Sequence, residues 1–192
     1  MRILGIDPGT LVTGYGVINC EGDKLSLVEC GVVQMSGKLP IDVRLKEMFL
    51  RLQKVIKRSK PDLCSIESAF YHKNVQSTLK IGYARGVSML AASLGNLHVS
   101  EYSPRSIKLT VTGSGASSKE QVEYMVLQIL NLKEKQNDLL DATDALAVAI
   151  CHHYSLNKTI KPEMSVKKTK LKKGRSAWGE FVNNNKELTN IK

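Results

Sequence analysis

Four carboxylates stand out in this sequence by their surroundings. Asp7 closes the apolar run Ile3-Leu4-Gly5-Ile6 and precedes Pro8-Gly9, Glu67 closes Leu63-Cys64-Ser65-Ile66, and Asp141 and Asp144 lie three residues apart among alanines and leucines. Held close together, four carboxylates would repel one another and resist ionising unless divalent cations compensated them. An all-oxygen set without cysteine favours a hard ion, Mg²⁺ or Mn²⁺, which keeps waters and takes phosphate oxygens as further ligands. Two such ions about 4 Å apart activate a water and stabilise the leaving oxygen of a phosphodiester, so no protein nucleophile is required. Each acid also has a plainer reading: Asp7 as a turn residue, Glu67 as a solvated strand end, Asp141 and Asp144 as favourable charges near a helix N-terminus.

A site of this kind needs a scaffold that brings distant segments together. Residues 2–7 read as a strand ended by the turn residues Pro8-Gly9, and two further β-type segments, about 14–20 and 25–34, flank the hairpin signal Glu21-Gly22-Asp23-Lys24. Leu45, Met48, Leu52, Val55 and Ile56 recur at helical spacing, which predicts an amphipathic helix over about 41–59 closed by Pro61. The next strand, ending at Glu67, is reached through that helix and so is expected parallel to the first. A helix over about 74–94 carries Gly82, Ala84, Gly86, Ala91 and Ala92, small residues that let another backbone approach. A fifth strand at 98–102, a helix from about 119 to 130 opened by the capping box Ser118-Lys-Glu-Gln121, and a last helix over about 139–155 complete an α/β fold, a five-stranded mixed sheet flanked by helices. In such sheets ligands bind beyond the carboxyl ends of the strands, where Asp7 and Glu67 fall. Asp141 and Asp144 share one helix face while Ala142, Leu146, Ala149 and Ile150 turn inward.

Length and composition bound the rest. The 192 residues suit one domain, residues 1–157, with an appendage, residues 158–192, that is Lys-, Asn- and Thr-rich and is expected to be a flexible basic tail. The net charge is +10, of which +7 falls in that tail. A second basic stretch, residues 68–119, sets Lys73, Lys80, Arg85, Arg105, Lys108 and Lys119 against the single acid Glu101. Both point to a polyanionic partner, with Lys73, Lys80, Arg85 and Arg105 as candidate phosphate contacts. The four cysteines lie singly in apolar segments, which gives neither a zinc site nor a disulfide framework. No run of about 20 apolar residues is present, and Asp7 interrupts the start where a signal peptide would be apolar, so the chain is expected to work in the cytoplasm. His152 and His153 stand at no clean helical spacing from Asp144 and receive no role.

The segments Gly5-Ile-Asp-Pro-Gly-Thr10, Thr13-Gly-Tyr-Gly16, Ile66-Glu67, Lys80-Ile-Gly-Tyr-Ala-Arg-Gly86, Gly113-Ser-Gly115 and Asp141-Ala-Thr-Asp-Ala-Leu-Ala147, in that order, resemble the RuvC family of Holliday-junction resolvases. The resemblance covers residues 1 to about 155 and finds no counterpart for the tail. It implies a ribonuclease-H-like fold and a Mg²⁺-dependent endodeoxyribonuclease with two ions per site, held by Asp7, Glu67, Asp141 and Asp144. It further implies that Lys108 and Lys119 lie near the scissile phosphate, and that Phe70 stacks on an unpaired base of the junction. The 74–94 helix would form a two-fold homodimer, whose paired sites nick the two equivalent strands of a four-way junction in recombination and repair. RuvA and RuvB are the branch-migration partners it implies.

Two rivals use the same residues. Gly-Ile-Asp-Pro-Gly-Thr also resembles the phosphate loop of actin-like ATPases, but those need a second lobe and roughly twice the length. A ribonuclease-H-like nuclease acting on RNA or another branched substrate is the nearer alternative, since carboxylate geometry alone does not choose the nucleic acid.

Overall fold

The computed structural model describes residues 1–68, 75–132 and 142–160, with side chains as far as Asn157. Phe70, Lys73, Asp141 and the tail therefore lie outside the described residues. Strands β1 (Arg2–Asp7), β2 (Val12–Glu21) and β3 (Lys24–Gln34) form an antiparallel meander, followed by α1 (Ile41–Ser59) and β4 (Leu63–Glu67). Then come α2 (Val75–Leu94), β5 (His98–Tyr102), α3 (Pro104–Thr112), α4 (Lys119–Ile129) and α5 (Thr143–Ile160). The five strands lie in the order β3-β2-β1-β4-β5, with β4 parallel to β1, as the α1 crossover predicts, and parallel also to β5, to which α2 connects it. Helix α3 has no counterpart among the sequence expectations, although Ser103 caps it, Pro104 opens it and Gly113 closes it in a left-handed conformation.

Each strand divides its side chains between two layers. Leu4 and Ile6 of β1 and Cys64 and Ile66 of β4 join α1 and α2 in one core, while Ile3 and Ile18 join α3, α4 and α5 in the other. Alternation then turns the odd-numbered Asp7 and Glu67, in step with Ile3 and Leu63, toward the α5 layer. The parallel register Ile3↔Leu63 through Ile6↔Ile66 carries forward to set Asp7 beside Glu67.

Helix α5 is buried almost all round, with Ala145, Leu146, Val148, Ala149 and Ile150 fully covered. It reaches the sheet through two glycines paired across β1 and β2, Gly5 and Gly16. A Cβ on Gly5 would stand 2.0 Å from the Ala145 carbonyl oxygen and 2.8 Å from the Ala149 nitrogen, and one on Gly16 would stand 2.5 Å from Leu146 Cδ2. The helix backbone rests directly on the strands, which is why it is alanine-rich. Gly5→Ala is expected to destabilise the protein by about 3 kcal/mol or more, because the obstacle is backbone and cannot swing aside. Gly37→Ala, where an added Cβ would stand 3.4 Å from Leu11 Cδ2, an ordinary van der Waals distance, serves as the control in urea denaturation and should be neutral or slightly stabilising.

Candidate active site at the carboxyl ends of β1 and β4

The turn after β1 is fixed from within the chain. The Thr13 hydroxyl, fully buried, donates to the Gly9 carbonyl at 2.7 Å and accepts the Gly9 N–H at 3.2 Å, so Pro8-Gly9-Thr10 folds back tightly after Asp7. Arg44 of α1 donates to the Thr10 carbonyl at 3.2 Å and ties the far side of the turn. On β4, the Ser68 N–H donates to the Tyr102 carbonyl at 2.8 Å, which extends the β4–β5 pairing past Glu67. Both acids thus sit on backbone held on each side.

Asp7 and Glu67 face each other closely enough to share a hydrogen bond. Burial pushes the Glu67 carboxyl up to about 8, and the Asp7 charge, the shared hydrogen bond and Asp144 push the same way against Lys108. Asp7 is also raised, by burial first and by Asp144 second, while the bond to Glu67 and the Lys119 charge oppose the rise. The pair therefore holds on to a proton more firmly than either acid would alone. Asp144, in the first turn of α5, accepts an ion pair from Lys119 Nζ at 2.8 Å. A cleft of about 230 Å³ opens between these groups, walled by Glu67, Asp144, Lys108 and Lys119 over the apolar side chains of Ile107 and Val122.

The structure brings Asp7, Glu67, Asp144, Lys108 and Lys119 to one place, from β1, β4, α5, α3 and α4. Among the described residues no three His, Cys, Asp or Glu side chains are set close enough to hold one ion together. The donor chemistry nonetheless fits a hard divalent cation: oxygen ligands only, half-buried, with Asp7 and Glu67 raised by burial first and by neighbouring charge second.

Arg85 is differently occupied, with its guanidinium forked onto Glu101, Nη2 to Oε2 at 2.7 Å. Lys80 is exposed on α2 and Arg105 lies beside Gly115 at the rim of the α3–α4 loop. His152 and His153 are buried; the Tyr102 hydroxyl lies 2.7 Å from His152 Nδ1, and Asn157 Nδ2 lies 3.1 Å from His153 Nε2. Burial pushes both imidazoles down, so they are neutral core groups well along α5 from Asp144. Thr13 and the α3–α4 loop are parts of the site that residue types alone did not reveal; a hydroxyl four residues after a turn glycine is the signal in the first case.

The match to known proteins covers the same ground. The family model for crossover junction endodeoxyribonuclease RuvC matches residues 3–152. Curated relatives of that description include one from Dehalococcoides mccartyi, 50% identical over 153 residues that cover 80% of this chain and 92% of the relative. Another, from Cytophaga hutchinsonii, is 42% identical over 183 residues, 95% of this chain and 85% of the relative. The latter alignment runs past Asn157, so the basic tail does have a counterpart in at least one relative, although the family motifs place none there. Among solved structures, Thermus thermophilus RuvC in complex with Holliday junction substrate superposes with a TM-score of 0.76 at 31% identity, over 83% of this chain and 96% of that one. The yeast mitochondrial Holliday junction resolvase Ydc2 shares the fold at a TM-score of 0.56 and 14% identity, over 81% and 82% of the two chains. With its sheet order, its acids at the ends of β1 and β4 and its match over residues 3–152, the chain belongs to the RuvC family of crossover junction endodeoxyribonucleases.

Proposed function

We propose that the chain is an endodeoxyribonuclease that resolves four-way DNA junctions by paired, symmetric nicks in recombination and repair. The observation that carries this is a cleft lined by Glu67, Asp144, Lys108 and Lys119, with Asp7 hydrogen-bonded to Glu67 beside it. That a RuvC of known structure binds a Holliday junction supports the choice of substrate.

Asp7, Glu67 and Asp144, together with Asp141, are the residues to hold Mg²⁺ or Mn²⁺, two ions per site, which when bound supply an activated water and charge neutralisation at the leaving oxygen. The remaining work falls to the chain. Glu67 holds a proton that it releases when positive charge arrives, so the buried acids need not all be ionised in the free protein. Lys119 offsets the charge of Asp144, and Lys108 offers a second ammonium to a phosphate entering the cleft. The low polarity contributed by Ile107 and Val122 strengthens each of these interactions. Phe70 would stack on an unpaired base, at about 1 to 3 kcal/mol, and Lys73, Lys80 and Arg105 would hold the backbone. Arg85 reaches a phosphate only by leaving Glu101.

The surface of α2 suits a homodimer. Val75, Leu79, Tyr83, Leu90 and Leu94 are all about half exposed or more, and with Gly82 and Gly86 they fall on one stripe opposite the buried Ala84, Ser88, Ala91 and Ala92. Two glycines four apart within an apolar stripe let a second copy of the helix approach closely, and a two-fold pair of sites matches the two equivalent strands of a junction. Work in the cytoplasm beside the branch-migration proteins RuvA and RuvB completes the reading.

Asp7→Asn is expected to abolish cleavage of a synthetic four-way junction while junction affinity, measured by gel shift in EDTA, changes less than about threefold; equal loss of both would contradict the separation of cutting from binding. Leu79→Glu should give a monomer by light scattering and leave a cruciform plasmid nicked rather than linear. Because Glu67 is raised to about 8 in the folded protein, that state binds more protons than the unfolded chain, so metal-free stability should fall as pH rises from about 5 to 8. Glu67→Gln should flatten this fall, and Mg²⁺ should raise the melting temperature of the wild type at pH 8 but not that of Asp7→Asn. A wild-type stability unchanged across that range would refute the buried proton.

A further inference from the structure

Lys108 and Lys119 belong to different helices, so something must set their separation. Between them run the last turn of α3, the loop 113–118 and the first residue of α4. Thr112 Oγ1 lies at the centre of that segment. It stands 2.8 Å from the Lys108 carbonyl oxygen, 3.1 Å from the Ser114 carbonyl oxygen and 2.7 Å from Ser117 Oγ, and it accepts the Ser114 N–H at 3.2 Å. A hydroxyl has one proton and two lone pairs. With the Thr112 proton directed at a carbonyl, of which that of Lys108 is the nearer, Ser117 must be the donor in the hydroxyl–hydroxyl bond.

The rest of the loop closes around this pair. Ser117 is only 7% exposed, Ala116 N–H donates to Ser114 Oγ at 3.3 Å, and Ser117 N–H donates to the Ser114 carbonyl at 3.4 Å. One residue on, Ser118 and Gln121 form a reciprocal capping box, which fixes Lys119 at the first helical position of α4 with its ammonium on Asp144. An uninterrupted set of bonds therefore runs from the Lys108 backbone through Thr112 and Ser117 to Lys119.

Resting on the reading of the cleft as a nuclease site, we propose that Thr112 and Ser117 form a positioning clasp that sets the spacing of Lys108 and Lys119 across the cleft, governing the rate of cutting rather than the binding of DNA. Without the clasp the α3–α4 hairpin can splay, and Lys119 leaves Asp144. Small displacements of a positioned charge are costly to rate, whereas overall attraction to DNA depends on the summed charge, which the clasp does not alter.

The test uses the full chain. Cleavage of a synthetic four-way junction by the wild type in Mg²⁺ checks the functional reading itself. Thr112→Val and Ser117→Ala should each lower kcat about tenfold, with junction Kd in EDTA within twofold of wild type. Thr112→Ser should restore kcat, and the double variant should lose no more than either single one, since both break the same link. Independently of any cleavage, the Lys119 ammonium ¹⁵N resonance of metal-free Thr112→Val should move toward that of a free lysine. A folded Thr112→Val with kcat within twofold of wild type, independent and multiplying losses, or an unmoved Lys119 resonance would each overturn the clasp. Should Thr112→Val fail to fold, Ser117→Ala carries the same readouts.

Discussion

The site depends on how closely a helix can lie on a sheet. Gly5 and Gly16, paired across β1 and β2, leave the backbone of α5 in contact with the strands. Asp7 stands two residues beyond Gly5 on the same face, and Asp144 stands one residue before Ala145, whose carbonyl meets Gly5. The distance between these two acids is therefore set by the absence of a side chain at Gly5. A methyl group there would lift α5 and withdraw Asp144 from Asp7 and Glu67, undoing the electrostatic coupling that distinguishes the site. Packing and chemistry are thus decided by the same contact, which also explains why α5 carries alanine where most buried helices carry larger side chains.

Bringing acids together in a buried place has a cost, and the fold distributes it. Glu67 and Asp7 are both raised, by burial first and by neighbouring carboxylate charge second. Asp144 has Lys119, and Lys108 bears on Glu67 from α3. Both compensating cations come from the α3–α4 hairpin, and all three described acids come from β1, β4 and α5. The acids come from two strand ends and α5, whereas the lysines come from two helices whose connection is held by hydroxyl bonds and a capping box.

Much of this was legible in the sequence, for identifiable reasons. The strands ending at Asp7 and Glu67, the α1 crossover and the parallel pairing follow from local period and chain connectivity, both of which act over short stretches. The short helix α3 went unforeseen because it spans nine residues, too few for a periodic pattern to stand out, although its Ser-Pro start and Gly stop were in view. The roles of Gly5 and Gly16 were not legible at all, since what excludes a side chain there is a helix far along the chain. Charge counting marked Arg85 as a phosphate contact without revealing that Glu101, the one acid of that stretch, lies across from it in an ion pair. Opposite charges distant in sequence find each other only in three dimensions, so composition overstates the free positive surface.

The two faces of the sheet carry different duties. Everything implicated in the chemistry lies on the α3–α4–α5 side, while α1 and α2 cover the other side and the outer stripe of α2 is apolar, with glycines at 82 and 86. A dimer formed through that stripe would leave both clefts open, because the proposed contact and the cleft lie on opposite layers. Glu67 and α2 are nonetheless close in sequence, joined by the segment that contains Phe70 and Lys73. In the proposed dimer, the strand that ends at Glu67 would lead directly to the helix making the two-fold contact, so the spacing of two cuts would follow from the geometry of β4 and α2 and not from any contact between the two sites.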